Sequence, residues 1–310
     1  MIEAEGLTKY FDTFLAVDQV TLQVPAGKVF VLLGPNGAGK TTTVRMLTSI
    51  LRPSQGWAKV AGFNVVEEAD RVRAAVGVLT EHHGLYVRMN AVEYLDFFGR
   101  LYRLPAALIK QRSDELLEKF GLTDARKKRL GEYSKGMRQK LALVRALLHD
   151  PRVLLLDEPT SAMDPESARM VREAIKGMRS AERTILLCTH NLTEAEELAD
   201  QLAIIQKGRI IFSGGVEELK DAQFGLAEYE VAFAEPVSWT GQLPTGVELI
   251  GTEDHRMRFR VSNPRQNNAK LLQELLNHEF QVITFQQVPR SLEEAYVKTL
   301  HQNEGNRHAE

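Results

Sequence analysis

Gly34–Thr43 reads GPNGAGKTTT; it follows the apolar run Val29–Leu33, VFVLL, and continues as the helical pattern VRMLTSIL. A continuous apolar run is a strand buried on both faces, as in the middle of a parallel sheet. A strand that enters a glycine-rich turn and leaves as a helix is the context a phosphate-binding loop requires, and it decides against a merely flexible turn. Glycines let the backbone N–H groups turn inward, and the positive end of the helix dipole favours an anion. Gly34, Pro35, Asn36, Gly37, Ala38 and Gly39 form the cradle. Lys40 reaches the β- and γ-phosphates, Thr41 offers its hydroxyl to Mg²⁺, and Thr42 lies near the α-phosphate.

A second apolar run, VLLLDE, ends in Asp157 and Glu158. Open α/β sheets bind ligands outside the carboxyl ends of their strands, so Asp157 is placed to hold Mg²⁺ and Glu158 to polarise an attacking water. A third run, TILLCTH, follows the helical stretch Pro165–Ser180, and this alternation gives a parallel sheet covered by helices. Met1 to about Val24 alternates weakly and reads as antiparallel strands with one face exposed. The stretch from about 87 to 150 is helical and falls between strands of the sheet as an insertion, its last helix capped by Ser134 and buried along Leu141, Val144 and Leu148. After Asp221 the texture changes: AEYEVAF and RMRFRV alternate as strands, QNNAKLLQELLNHEF reads as a helix, QVITFQQV as a strand and SLEEAYVKTL as a helix. The expected organisation is an α/β core over 1–220, a small α+β domain over 221–302 joined by a link around Ser213–Gly215, and a disordered tail at 303–310.

The 310 residues carry a net charge of −2 and 44% hydrophobic residues, which describes an ordinary globular chain of about two domains. Near-neutral charge argues against a nucleic-acid partner. The basic cluster ARKKRL reads as a solvated face. The single cysteine, Cys188, lies in an apolar setting and reads as a buried core thiol, which fits a reducing compartment. No apolar run reaches the roughly 18 residues of a membrane span, so a cytoplasmic chain is expected unless a partner holds it at a membrane.

Two further motifs narrow the class. YSKGMRQ, Tyr133–Gln139, resembles the signature motif of ATP-binding-cassette (ABC) proteins, with a lysine in place of the first glycine. As a helix N-terminus, Ser134, Lys135 and the amides near Gly136 suit a γ-phosphate. The order of motifs resembles that family from Met1 to about Leu219, and the resemblance implies a RecA-like phosphate-loop NTPase core with an antiparallel β subdomain and a helical insertion. It implies ATP as substrate and a head-to-tail dimer, in which Ser134 of one subunit closes over the ATP held by Lys40 of a second copy. DEPTSAMDP is similar to Walker B running into the D-loop, which puts Ser161 and Asp164 at the dimer interface. His190, in CTHNLTEAEELAD, matches the family's switch histidine. LTKYFDTFLAVD carries the aromatic that stacks on adenine, Phe11 by alignment of AVD, with Tyr10 as the neighbouring candidate. Where the family usually has a glutamine that touches Mg²⁺, this chain has Glu81, whose carboxylate can still ligate the ion; a separate metal site at His82 and His83 lacks further ligands at suitable spacing.

The ending VPRSLEEAYVKTL resembles that of cassette subunits of drug, polysaccharide and ion exporters whose permease is a separate polypeptide. The resemblance therefore implies an ATPase subunit that couples MgATP hydrolysis to export through an integral-membrane permease, held peripherally on the cytoplasmic side of the membrane. The segment Glu81–Tyr102 is the candidate contact with that permease. A soluble ABC ATPase of translation or repair is the alternative, but such chains carry two cassettes or long coiled coils. A small-molecule kinase has no need of the signature segment.

Overall fold

The computed structural model describes residues 1–80, 84–161 and 163–307, with side chains to 303. They divide into two compact units, Met1–Val216 and a second from Glu217 onward.

In the first unit, β1 (Ile2–Phe11) and β2 (Phe14–Val24) form a hairpin, and β3 (Val29–Leu33) leads through the glycine loop into α1 (Lys40–Leu47). Then come β4 (Gln55–Val60), β5 (Phe63–Asn64), α2 (Ala69–Ala75) and β6 (Val76–Leu79). Three helices follow, α3 (Ala91–Leu101), α4 (Ala106–Lys119) and α5 (Lys135–Leu147), before β7 (Val153–Asp157), α6 (Pro165–Lys176), β8 (Thr184–Thr189), α7 (Leu192–Leu198), β9 (Gln201–Gln206) and β10 (Arg209–Gly214). Strands β2-β1-β4-β5 make an antiparallel sheet, and β10-β9-β3-β8-β7-β6 a second one, parallel except for β10 at its edge. Every residue of β3, β7 and β8 is buried, as their unbroken apolar runs require. Cys188 lies among them, its thiol pushed well above the usual range by burial. The helical insertion leaves the sheet after β6 and returns into the neighbouring β7.

That insertion is tied to the sheet by side chains of α5. Gly77 of β6 lies so near the helix that a Cβ would stand 2.2 Å from the Ala146 carbonyl oxygen. From α5, Arg145 donates to Tyr94 Oη at 2.9 Å and to the Val78 carbonyl at 3.4 Å, and its guanidinium stacks over Phe98. One turn on, His149 Nε2–H donates to the Val76 carbonyl at 3.0 Å while its ring stacks on that of Tyr102, the centroids 3.8 Å apart and the planes nearly parallel. Tyr94, Phe98 and Tyr102 recur every four residues, so one face of α3 meets both side chains.

Burial lowers the His149 pKa from 6.5 to about 4, and its Nδ1 is buried without a hydrogen-bond partner. The unfolded chain then binds a proton that the fold refuses, so this contribution to stability is complete above pH 6.5 and lost as the pH falls toward 4. Its size is about 3 kcal/mol. His149→Phe, which keeps the stacking but cannot be protonated, is expected to flatten that acid limb when urea unfolding is followed between pH 6.5 and 4; an unchanged limb would assign the loss to other groups.

Helix α8 (Val216–Phe224) begins where the units divide, and the second unit continues as β11 (Ala227–Phe233), β12 (Val247–Glu253), β13 (Arg256–Val261), α9 (Pro264–Asn277), β14 (Val282–Gln287) and α10 (Leu292–Arg307). The sheet order is β12-β13-β11-β14, all antiparallel, with Tyr229, Val231, Phe233, Met257 and Phe259 packed against Leu271 and Leu275 of α9. Leu292 and Ala295 are buried and Tyr296 and Leu300 half-buried, so the first turns of the last helix present one apolar face.

Three expectations change. Ser213 and Gly214 pair with Ala203 and Leu202 as the end of β10, so the supposed link is strand and the units part at 216 rather than 220. Strand β12 escapes the alternation test because a register shift between Leu249 and Gly251 breaks it. Helix α10 runs on to Arg307, past the expected start of the tail, whose last residues, 308–310, lie outside the described ones.

Candidate functional site

Between β3 and α1, the loop fits against its neighbours only with glycine. A Cβ at Gly34 would stand 2.3 Å from the Ile205 carbonyl oxygen; Gly39 has φ +106°, and a Cβ there would stand 2.8 Å from the Ala16 carbonyl oxygen. Gly34→Ala would therefore displace either the loop or β9. Gly208 N–H donates to the Ala38 carbonyl at 2.9 Å and Gly34 N–H to the Thr189 carbonyl at 3.3 Å, which anchors the loop from both sides.

Five side chains meet at the loop. Lys40, 5% exposed, donates through Nζ to the carbonyls of Gly34 (2.7 Å) and Pro35 (3.2 Å) and lies 3.5 Å from Glu158 Oε1. His190 Nδ1–H donates to the same carboxylate oxygen at 2.9 Å. Beside them Thr41 Oγ1 donates to Asp157 Oδ2 at 2.7 Å, at the end of β7. Glu158 adopts φ +51°, a left-handed backbone that costs a non-glycine residue of order 1–3 kcal/mol. The surroundings impose it: Glu158 N–H donates to the Cys188 carbonyl at 2.9 Å, and Gln139 Nε2 donates to the carbonyls of Glu158 (3.0 Å) and Pro159 (3.1 Å).

These groups open on a cavity of about 570 Å³, room for a nucleotide. Asn36 to Thr42 line it, together with Phe11, Phe14, Ala16, Glu158, Ser161 and His190. Gly34 and Pro35 are not part of the lining; their carbonyls hold Lys40. Phe11 and Phe14 are 43% and 65% exposed at its mouth, paired across the β1–β2 hairpin; Tyr10 does not line it. Phe14 and Gln139 are additions to the sequence reading. The repeat in FDTF around a two-residue turn signals the first; nothing in the sequence signals the second.

Ser134, Lys135 and Gly136 line no part of this cavity. They form the N-terminus of α5, where Ser134 caps the helix by accepting from Met137 N–H at 3.2 Å. Asp164 is likewise outside, exposed at the N-cap of α6, where the Ser167 N–H bond holds its carboxyl below the usual range. Glu81, His82 and His83 lie outside the described residues. Among the described residues no cluster of three His, Cys, Asp or Glu could hold a metal ion. The hydroxyl of Thr41 and the carboxylate of Asp157 are nonetheless hard oxygen donors of the kind Mg²⁺ takes when phosphates supply the rest.

A glycine loop gripping a buried lysine, a strand-end Asp-Glu pair and a histidine on the glutamate, set on this sheet, define a phosphate-loop ATPase of the ABC type. Residues 17–161 match the ABC transporter family, and residues 214–300 match the C-terminal domain of DrrA1-3-like ATP-binding proteins. The daunorubicin resistance ATP-binding protein DrrA3 of Streptomyces coeruleorubidus is 40% identical over 249 residues, 80% of this chain and 77% of that protein. The daunorubicin/doxorubicin resistance ATP-binding protein DrrA of Streptomyces peucetius is 36% identical over 302 residues, 96% of this chain and 91% of its own length. A solved structure of the ATP binding subunit of an ABC transporter superposes with a TM-score of 0.68 at 28% identity, over 73% of this chain and 93% of that one. The chain belongs to the ATP-binding subunits of ABC transporters, in the exporter-type branch that includes DrrA, and is an ABC-type ATPase. Among its described residues no helix is long and apolar enough to cross a membrane.

Proposed function

We propose that two copies of this subunit, arranged head to tail, hydrolyse MgATP at their shared interface and drive export through a separate integral-membrane permease, on whose cytoplasmic side they lie. The observation that carries this reading is the division of the site. Lys40, Thr41, Glu158, Ser161 and His190 share one cavity, whereas the Ser134–Gly136 helix N-terminus, an anion-binding feature, lines no part of it. A second copy resolves the division by bringing its Ser134, Lys135 and Gly136 to the γ-phosphate, with Ser161 and Asp164 along the contact.

In the mechanism, Phe11 stacks on adenine with Phe14 beside it, and the loop amides from Gly37 to Thr42 bind the phosphates. Lys40 neutralises charge on the β- and γ-phosphates. Thr41 and Asp157 would hold Mg²⁺, which when bound spreads the developing negative charge. The Glu158 carboxylate takes a proton from the attacking water, while His190 steers that carboxylate and contacts the γ-phosphate. Each residue acts by position and charge, as phosphoryl transfer requires. The cavity is committed to nucleotide, so substrate choice falls to the permease.

Two experiments test this. Tagged protein recovered from detergent-solubilised membranes of its own source is expected to bring down a multi-span protein in stoichiometric amount; purely soluble partners would remove the transport role. For the shared site, Lys40→Met and Ser134→Arg are each expected to be inactive alone, yet active when mixed, because a mixed dimer retains one intact site. Continued inactivity of the mixture would overturn the head-to-tail arrangement.

A further inference from the structure

Two residues that line the nucleotide cavity, Ser161 and His190, are each preceded by a threonine. Both threonine hydroxyls face one carboxylate. Thr160 Oγ1 donates to Glu194 Oε1, and the hydroxyl of Thr189, which accepts from Asn191 N–H at 2.9 Å, faces the same side chain. Glu194 is 1% exposed, on α7, one helical turn after His190. Its backbone N–H is fixed as well, donating to the Asn191 cap at 3.3 Å.

A buried carboxylate is costly to retain unless it is well bonded, and burial pushes that of Glu194 above the usual range, with the charge of Glu158 acting in the same direction. Burying an apolar residue there would hold α7 on the sheet more simply. What a carboxylate adds is two acceptor oxygens facing two loops. The Thr160 loop turns immediately after Glu158, closing with Ser161 N–H on the Glu158 carbonyl at 3.2 Å, and the Thr189 loop delivers His190 to the Glu158 carboxylate at 2.9 Å. The distance between the loops decides whether that contact forms.

We propose that Glu194 is a positioning residue that couples the Ser161 loop to the His190 loop and so holds His190 against Glu158. It lines no part of the cavity and acts through His190. The inference rests on the proposed roles of Glu158 and His190.

The test is steady-state ATP hydrolysis by the full-length protein. Glu194→Ala is expected to lower kcat by about 10- to 100-fold, the scale set by a misplacement near 1 Å, with KM for ATP changed less than about 3-fold. Glu194→Gln, whose amide oxygen can accept from one threonine while its N–H₂ donates to the hydroxyl oxygen of the other, is expected to recover most of the rate. In a His190→Ala background, Glu194→Ala is expected to cost no more than about 2-fold further, because the two act as one unit. Unchanged kcat, a loss confined to KM, no rescue by glutamine or full additivity with His190→Ala would each overturn the coupling. If Glu194→Ala fails to fold, Thr160→Val, nearly isosteric, is expected to show the same kcat loss and the same lack of additivity. Should Glu158→Gln and His190→Ala keep the unchanged protein's rate, the proposed catalytic roles fall; should they lose it while the Glu194 and Thr160 variants do not, only the coupling falls.

Discussion

Glu158→Gln is expected to lower kcat for ATP hydrolysis by about 10²- to 10⁴-fold, the range a positioned general base supplies, while ATP still binds. Glutamine keeps the shape of the side chain and an acceptor oxygen for the His190 Nδ1–H bond, but it cannot take a proton from water. Its backbone stays in place, because the left-handed conformation at 158 is fixed through main-chain groups by Cys188 and Gln139. Removing a carboxylate that lies 3.5 Å from Lys40 also removes its repulsion of the γ-phosphate, so affinity for ATP is expected to hold or rise. Single-turnover hydrolysis set beside titration with a fluorescent ATP analogue separates the two effects. A rate equal to that of the unchanged protein would take Glu158 out of its assigned role.

Lys40→Met should damage both binding and chemistry: an ATP dissociation constant raised by about tenfold or more, which is 1.4 kcal/mol, and a rate lowered by about 10²- to 10³-fold. Methionine fills the same slot. It leaves the Gly34 and Pro35 carbonyls without their donor and the Glu158 carboxylate with His190 as its neighbour in place of the ammonium. Lys40→Arg is expected to give little rescue, since a planar guanidinium does not fit a position 5% exposed between two carbonyls. Equilibrium binding and initial rates on all three proteins decide the matter; unchanged affinity with unchanged rate in the methionine variant would end this account of the loop.

What could be read in the sequence was whatever depends on neighbours in the chain. The loop at Gly34–Thr41 announces itself because glycine spacing, lysine and the strand before it lie within a dozen residues. The same holds for Asp157 at a strand end and for Ser134 as a cap, which receives the expected N–H bond from Met137. Roles that depend on distant backbone were hidden. Gln139 stands inside the quoted YSKGMRQ, but its partners are carbonyls 19 and 20 residues away. Glu194 reads as one acid among several in TEAEEL, and its burial against Thr160, 34 residues back, follows from how α7 packs. Strand β12 was lost for a different reason, since its bulge removes the two-residue period by which strands are recognised.

The bond pattern around β6 bears on solubility as well as on shape. This strand is the outer margin of the six-stranded sheet, where unclaimed carbonyls would let a strand from another molecule add on and begin an aggregate. Here the Val76 and Val78 carbonyls are claimed by His149 and Arg145, and Gly77 between them sits under the backbone of α5 at Ala146. The helix that presents Ser134 at one end thus seals a sticky border at the other, and a variant that frees this border invites fibrous self-association even if its cavity still binds nucleotide.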